Sequence, residues 1–263
     1  MDISVDGLNT HVATGGRESF ADEPVVILIH GAGMDRTIWQ FQSRHIAYRE
    51  RRVLAVDLPG HGRSEGTPPD TIQGMADWIT RFMDAAGVDK AILIGHSMGA
   101  LIALDTAARY PDRVEKLVLM GVAETMPVHP DLLAASEADK PLAPELIVFW
   151  GIGERSQIGS HPNPGFWVQG ASEALLKHSA NGIIANGLAA CNNYSDAMES
   201  AKKVHCPALF ILARDDKMTP AKKGLALAEH VAAAQSIVIE ESGHMVMAET
   251  PNQVLDALKG FVF

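Results

Sequence analysis

The sequence predicts an α/β fold: a mostly parallel central sheet flanked by helices on both faces, with an inserted helical cap. Three features carry that expectation. Short, continuous apolar runs rich in β-branched residues recur along the chain, as strands buried on both faces require. Segments with helical spacing separate most of these runs, the alternation that parallel crossovers produce. One long interval then breaks the rhythm.

Taken in order, Ile3 to Val5 and Thr10 to Ala13 alternate around Asp6-Gly7-Leu8-Asn9 and read as an edge hairpin. A polar stretch follows, and then Val25-Val26-Ile27-Leu28-Ile29, a run suited to the sheet interior. Similar runs recur at Arg52 to Val56, Ala91 to Ile94, Lys116 to Met120, Ala208 to Leu212 and Ser236 to Ile239. Ile72 to Ala86, Leu101 to Ala108 and Leu255 to Phe263 carry the helical period. From about Val122 to about Lys203 no buried strand stands out, and Pro127, Pro130, Pro141, Pro144, Pro162 and Pro164 divide short helical stretches. Residues 1–121 and 204–263 are thus expected to form one core, with 122–203 as a helical cap over one end of the sheet.

Composition narrows the function classes. The 263 residues are 47% hydrophobic and 21% charged, an ordinary packed composition for one domain with an insert. A formal net charge of -10 argues against a nucleic-acid surface, which needs clustered Lys and Arg. The densest basic patch, Arg49, Arg51 and Arg52, is interrupted by Glu50 and reads as a solvated helix end or loop before a strand. Met1-Asp2-Ile3-Ser4-Val5-Asp6-Gly7 lacks a basic start and apolar core, and no apolar run approaches the ~18 residues of a membrane span. The two cysteines, Cys191 and Cys206, form neither a CxxC nor a disulfide framework. They read as small buried or half-buried side chains in a cytoplasmic protein.

The motif with the most chemistry is Gly95-His96-Ser97-Met98-Gly99. It follows the Ala91 to Ile94 run and precedes a helical segment, so the serine falls on a sharp strand-to-helix turn that lifts its hydroxyl clear of the backbone. Glycines on either side let neighbouring backbone approach, and the helix N-terminus places partial positive charge where an oxyanion would form. Serine needs a base. Among 11 histidines, His244 stands out because it follows the last strand and precedes a helix start at Thr250-Pro251, at the strand ends where α/β sites gather. His96 adjoins the serine at a motif position that points away from it. An acid must orient the imidazole. Asp215 and Asp216 follow the Ala208 to Leu212 run, one of them a candidate cap for a helix near Pro220, and Glu124 follows the run ending at Met120. The order Ser97, Asp216, His244 is the one this architecture uses. Oxyanion donors are expected from the Met98 amide and from His30-Gly31-Ala32-Gly33.

Together these residues resemble the α/β-hydrolase superfamily over nearly the whole chain. The resemblance rests on His30-Gly31-Ala32-Gly33, on Asp57-Leu58-Pro59-Gly60-His61-Gly62-Arg63-Ser64 and on Gly95-His96-Ser97-Met98-Gly99. It extends to Asp216 with Pro220, and to Gly243-His244 followed by Glu249 and Pro251. It implies that Ala32 supplies the first oxyanion amide, that the acid four residues ahead of a proline is Asp216, and that Asp57 to Ser64 is a structural loop. A serine at position 97 disfavours the aspartate-nucleophile dehalogenases and epoxide hydrolases. Met245 departs from the aromatic residue common after the histidine in carbon–carbon bond hydrolases, and His-Gly-Ala-Gly departs from the His-Gly-Gly-Gly of hormone-sensitive-lipase-like esterases.

The expected activity is hydrolysis of a small or medium carboxylic ester through an acyl-enzyme on Ser97. Lactone hydrolysis by the same triad ranks second, and a ligand receptor or binding scaffold is the alternative outside enzymes. Substrate choice falls to the cap, where Met126, Phe149, Trp150, Phe166 and Trp167 are candidates for an apolar wall. No cofactor is expected: the chain has no HExxH or other metal-ligand cluster, and Gly31 to Gly33 is no dinucleotide fingerprint. The expected partner is a small-molecule ester or lactone.

Overall fold

A computed structural model describes residues 1–18, 20, 22–159 and 161–263. Its first element is the hairpin of β1 (Asp2–Val5) and β2 (Leu8–Ala13), turned at Asp6 and Gly7 with φ of 53° and 82°. Positive φ at both central residues matches the twist of the paired strands, which is why Asp-Gly suits the site. Six further strands follow: β3 (Val25–Ile29), β4 (Arg52–Val56), β5 (Ala91–His96), β6 (Val114–Met120), β7 (Ala208–Ala213) and β8 (Ala234–Ile239). They form one eight-stranded sheet in the order β1-β2-β4-β3-β5-β6-β7-β8. β3 to β8 run parallel, and β2 joins β4 antiparallel. Every residue of β3, β5 and β7 is buried, so their apolar runs follow from helices on both faces.

The run at Ser236–Ile239 reads like the inner strands, and here the structure differs. β8 is an edge strand, opposite the β1 edge, with Ser236 and Ile237 exposed. Its β-branched residues suit the extended backbone of an edge as well as a core strand, so composition alone does not place it.

Among the described residues three α-helices lie before β6: α1 (Ser43–Ala47), α2 (Ile72–Ala85) and α3 (Met98–Arg109). In α2 a stripe of Ile72, Met75, Ala76, Ile79, Phe82 and Met83 is buried at 3-4 spacing, and Thr71 caps the N-terminus by accepting from Gly74 N–H at 3.1 Å. α3 runs from the end of β5 and packs against α2, β5 and β6. Among the described residues, six helices occupy the interval between β6 and β7: α4 (Pro130–Glu137), α5 (Leu142–Gly151), α6 (Glu154–Gln157), α7 (Val168–Lys177), α8 (Ile183–Asn193) and α9 (Ala197–Ala201). α9 packs on α3, where the Tyr194 hydroxyl donates to Asp105 at 2.9 Å. The chain closes with α10 (Ala221–Ala228), α11 (Val246–Glu249) and α12 (Pro251–Val262). Among the described residues no helix is long and apolar enough to cross a membrane.

The basic patch is not simply solvated. Arg51 donates to Val262 O at 3.1 Å at the end of α12, and Arg52 donates to Ala86 O at 2.9 Å at the end of α2. Both guanidiniums thereby satisfy helix C-terminal carbonyls, where the helix dipole favours positive charge. Cys191 is buried and Cys206 half-buried, and burial pushes the Cys191 thiol up to about 12.

Candidate active site

The order of the sheet reverses at β3, whose neighbours are β4 and β5, and crevices at such points open at the C-terminal ends of the strands. β5 ends in an elbow there. Ser97 has φ 54° and ψ -118°, and α3 begins at the next residue. A non-glycine residue held so costs ~1–3 kcal/mol, which the packing around it must offset. That packing is tight enough to demand the flanking glycines. A Cβ at Gly95 would lie 2.1 Å from Gly99 O, and one at Gly99 would lie 2.2 Å from Ile29 O. The Ser97 amide donates to Met120 O at 2.9 Å, tying the elbow to β6.

Asp216 and His244 meet beside it. The His244 Nδ1 to Asp216 Oδ2 distance is 2.8 Å, with both side chains buried. The carboxylate is fully employed: Oδ1 accepts from the amides of Met218 and Thr219 at 2.8 Å each, and Oδ2 also accepts from the Thr219 hydroxyl at 2.6 Å. Burial opposes the charge on Asp216, but His244 and the Thr219 donors outweigh it and hold the pKa below the ordinary aspartate value. With Nδ1 so engaged, Nε2 of His244 makes no hydrogen bond among the described residues. The Ser97 hydroxyl makes no hydrogen bond to His244 in this structure, although both line the same cavity. The rival acids sit elsewhere. Asp215 is half-buried and offers its backbone amide to Ser242 O at 2.9 Å, and Glu124 forms no hydrogen bond to His244. His96 does point away from Ser97: its Nε2 donates to the backbone carbonyl of His244 at 2.9 Å, so it holds the histidine loop rather than the serine.

The Gly31-Ala32-Gly33 turn closes over the elbow. A Cβ at Gly31 would fall 3.1 Å from His96 Nδ1 and 3.2 Å from the Ser97 Cβ, so a side chain there would crowd the turn against the elbow. Neither the Ala32 amide nor the Met98 amide donates to a protein acceptor among the described residues, which leaves both available to a ligand oxygen. Beyond the turn, Asp57 just past the end of β4 ties the Arg36 segment to the Arg63 loop. Asp57 accepts from Arg36 N–H at 2.8 Å, the Arg36 guanidinium at 2.6 Å and Arg63 N–H at 2.9 Å. Gly62, at φ 53°, would put a Cβ 2.5 Å from Asp57 Oδ2.

Three buried histidines stand behind these loops. Burial lowers His30 to about 4, and His61 and His96 to about 3, so all are neutral near pH 7. The unfolded chain binds these protons from about 6.5 downward. Stability is therefore expected to be complete above that value and to fall as pH drops toward about 4, by more than about 1.4 kcal/mol per pH unit. Burial raises the Glu249 carboxyl, which takes up its proton first in the folded state and offsets part of this loss near the lower end. Urea unfolding at stepped pH checks the prediction; a stability that stays level from pH 6.5 to 5 contradicts it.

One cavity of ≈ 620 Å³ contains the site, lined by Ala32, Ser97, Thr219 and His244 below and by Met126, Trp150, Leu188 and Cys191 above. Of the five apolar candidates the structure brings Met126 and Trp150 to it and leaves out the others. Phe149 is 64% exposed on α5, and Trp167 is 59% exposed at the start of α7. Phe166 packs edge-on against Phe41, ring centres 5.2 Å apart, away from the cavity. The physical reason is that Leu146-Ile147-Val148-Phe149-Trp150 is apolar all round, so its helical period does not show which side faces inward. Sequence reading missed Thr219, Leu188 and Cys191. The signal for Thr219 was Asp216-Lys217-Met218-Thr219-Pro220, an aspartate whose carboxylate closes its own turn. The signal for α8 was Gly187, which lets that helix reach the Ala32 turn: a Cβ there would lie 2.7 Å from the Ala32 Cβ.

Comparison with known proteins matches the chain to a family. Residues 26–257 match the family model described as "Alpha/beta hydrolase family". The chain is 28% identical to an (E)-2-((N-methylformamido)methylene)succinate hydrolase of Acinetobacter baylyi, covering 91% of this chain and 90% of that one. It is 31% identical to a putative esterase/lipase of Haemophilus influenzae, covering 91% and 83%. The enol-lactonase structure from Burkholderia xenovorans superposes with a TM-score of 0.87 at 23% identity, covering 98% and 100%, and so shares the fold. With the sheet order, the elbow and this match in agreement, the chain belongs to the alpha/beta hydrolase family.

Proposed function

We propose that this protein hydrolyses small or medium carboxylic esters by acyl transfer through Ser97. The observation that carries the reading is the buried Asp216–His244 pair, opening on the same cavity as a serine held at φ 54°. In this mechanism Nε2 of His244 takes the Ser97 proton as the hydroxyl oxygen attacks the ester carbonyl. The amides of Ala32 and Met98 receive the negative charge that develops on the carbonyl oxygen. Asp216 fixes the imidazole tautomer and stabilises the imidazolium. His244 then returns the proton to the departing alcohol, and the acyl group stays on Ser97. A water deprotonated by His244 releases the acid and restores the serine. Helices α4 to α8 act as the cap. A cavity of ≈ 620 Å³ with Met126, Leu132, Trp150 and Leu188 in its wall suits an apolar acyl or alcohol group of moderate size.

The test is a substrate panel that sets p-nitrophenyl esters of graded chain length against acyl homoserine lactones. Steady turnover of the shorter esters is expected. Turnover of lactones alone would replace the ester by a lactone, and stoichiometric binding without turnover of either would remove the enzyme reading.

A further inference from the structure

Glu249 is a buried carboxylate, 2% exposed, outside the set of groups that perform the reaction. It sits at the end of α11, and its two oxygens are divided between two parts of the molecule. Oε1 accepts from Met245 N–H at 3.1 Å, and both oxygens accept from Gly243 N–H at 3.1 Å, so one side of the carboxylate holds the loop that carries His244. Oε2 also accepts from Gly153 N–H at 2.9 Å, two residues past the end of α5. The groups that hold its charge are neutral dipoles: the Gly243 and Gly153 amides, the Ser156 hydroxyl and the Met245 amide. A buried charge held by dipoles alone is costly unless each partner stays in place.

The same two segments touch without the carboxylate. Gly151 O, the last carbonyl of α5, accepts from His244 N–H at 2.6 Å and from Met245 N–H at 3.3 Å. Gly153 and Gly243 lie so close that a Cβ on Gly243 would be 2.4 Å from Gly153 N, and one on Gly153 would be 2.8 Å from Gly243 N. Trp150, one residue before this junction, lines the cavity. The backbone of His244 is therefore held from the α5 side by Gly151 and from below by His96.

We propose that Glu249 is a positioning residue that fastens the end of α5 to the His244 loop, so that the base is in place only while that part of the cap is seated. The catalytic role of His244 on which this rests is the one proposed above. Glu249→Gln replaces one acceptor oxygen by an NH₂ donor, which faces either Gly153 N–H or the loop amides and repels whichever it meets. Gly153→Ala perturbs the junction from the other side. The Gly153 backbone, at φ -64° and ψ 151°, accepts alanine without strain, so the added methyl acts as a wedge, 2.8 Å from Gly243 N and 3.1 Å from Glu249 Oε2.

The experiment measures kcat and KM on a p-nitrophenyl ester per active site, counted with a fluorophosphonate probe, for both variants and for the double variant. It also follows hydrogen exchange at the amides of Gly243, His244 and Met245. Each single variant is expected to lower kcat about 10–100-fold with KM nearly unchanged, as a displaced base does, and to speed exchange at the three amides. The double variant should be little worse than the poorer single one, because both cut the same link. Wild-type kcat per active site with unchanged exchange overturns the proposal, and so do effects that multiply in the double variant. Counting active sites separates this from a loss of folded protein. If the wild-type chain hydrolyses no ester, the catalytic reading fails, and exchange in Gly153→Ala alone still decides whether the two segments are coupled.

Discussion

Ser97→Ala is expected to reduce ester turnover by about 10⁶-fold while leaving the protein folded and able to bind substrate. The size follows from the role. Without the hydroxyl no acyl-enzyme forms, and only the amides of Ala32 and Met98 remain to stabilise attack by water. Because Ser97 is half-buried at the floor of the cavity and makes no side-chain hydrogen bond across the site, its removal strands no buried partner. The measurement is kcat/KM on a short p-nitrophenyl ester beside a thermal melt. Residual activity within about tenfold of wild type would remove Ser97 from the chemistry.

Asp216→Asn is expected to cost about 10⁴-fold in kcat, the scale on which a triad loses its correct imidazole tautomer. An amide can present its NH₂ to Nδ1 of His244, which then moves the ring proton to Nε2 and leaves no base toward Ser97. The change also weakens the Thr219 hydroxyl contact at 2.6 Å, so a modest loss of stability accompanies it. Asp215→Asn and Glu124→Gln serve as controls, since neither side chain bonds His244, and both should retain kcat within about threefold. A large loss in Glu124→Gln with near-normal Asp216→Asn would transfer the acid to the end of β6.

The residues readable in advance are those whose role is set by local chain geometry. Gly95 to Gly99 announce the elbow because strand, turn and helix follow within a dozen residues, and the structure adds only the distances that make glycine obligatory. Asp216 and His244 follow strands whose direction fixes the end of the sheet at which they emerge. The inner strands were legible as continuous apolar runs, whereas the placement of β8 at the edge depends on what fails to cover it, which no local pattern records. The apolar wall of the cavity was only half legible. Trp150 and Phe149 are neighbours in sequence and identical in hydrophobicity class, yet one lines the cavity and the other faces solvent. Which of them turns inward is set by the packing of α5 against α4 and α7, contacts between helices that the periodicity of α5 alone does not encode. Glu249 was visible as a landmark but not as a link, because its partner Gly153 lies 96 residues away.

The backbone of Ser97 has a consequence for how this chain carries its own stability. At φ 54° and ψ -118° a glycine would be relaxed, and relief of ~1–3 kcal/mol of strain outweighs the ~0.5–1 kcal/mol that glycine adds to the entropy cost of folding. Folding alone would therefore favour glycine at the position proposed above as the oxygen nucleophile. A lineage released from selection for catalysis would gain robustness by giving up that hydroxyl, so the margin by which this fold stays folded is partly a record of the work demanded of it.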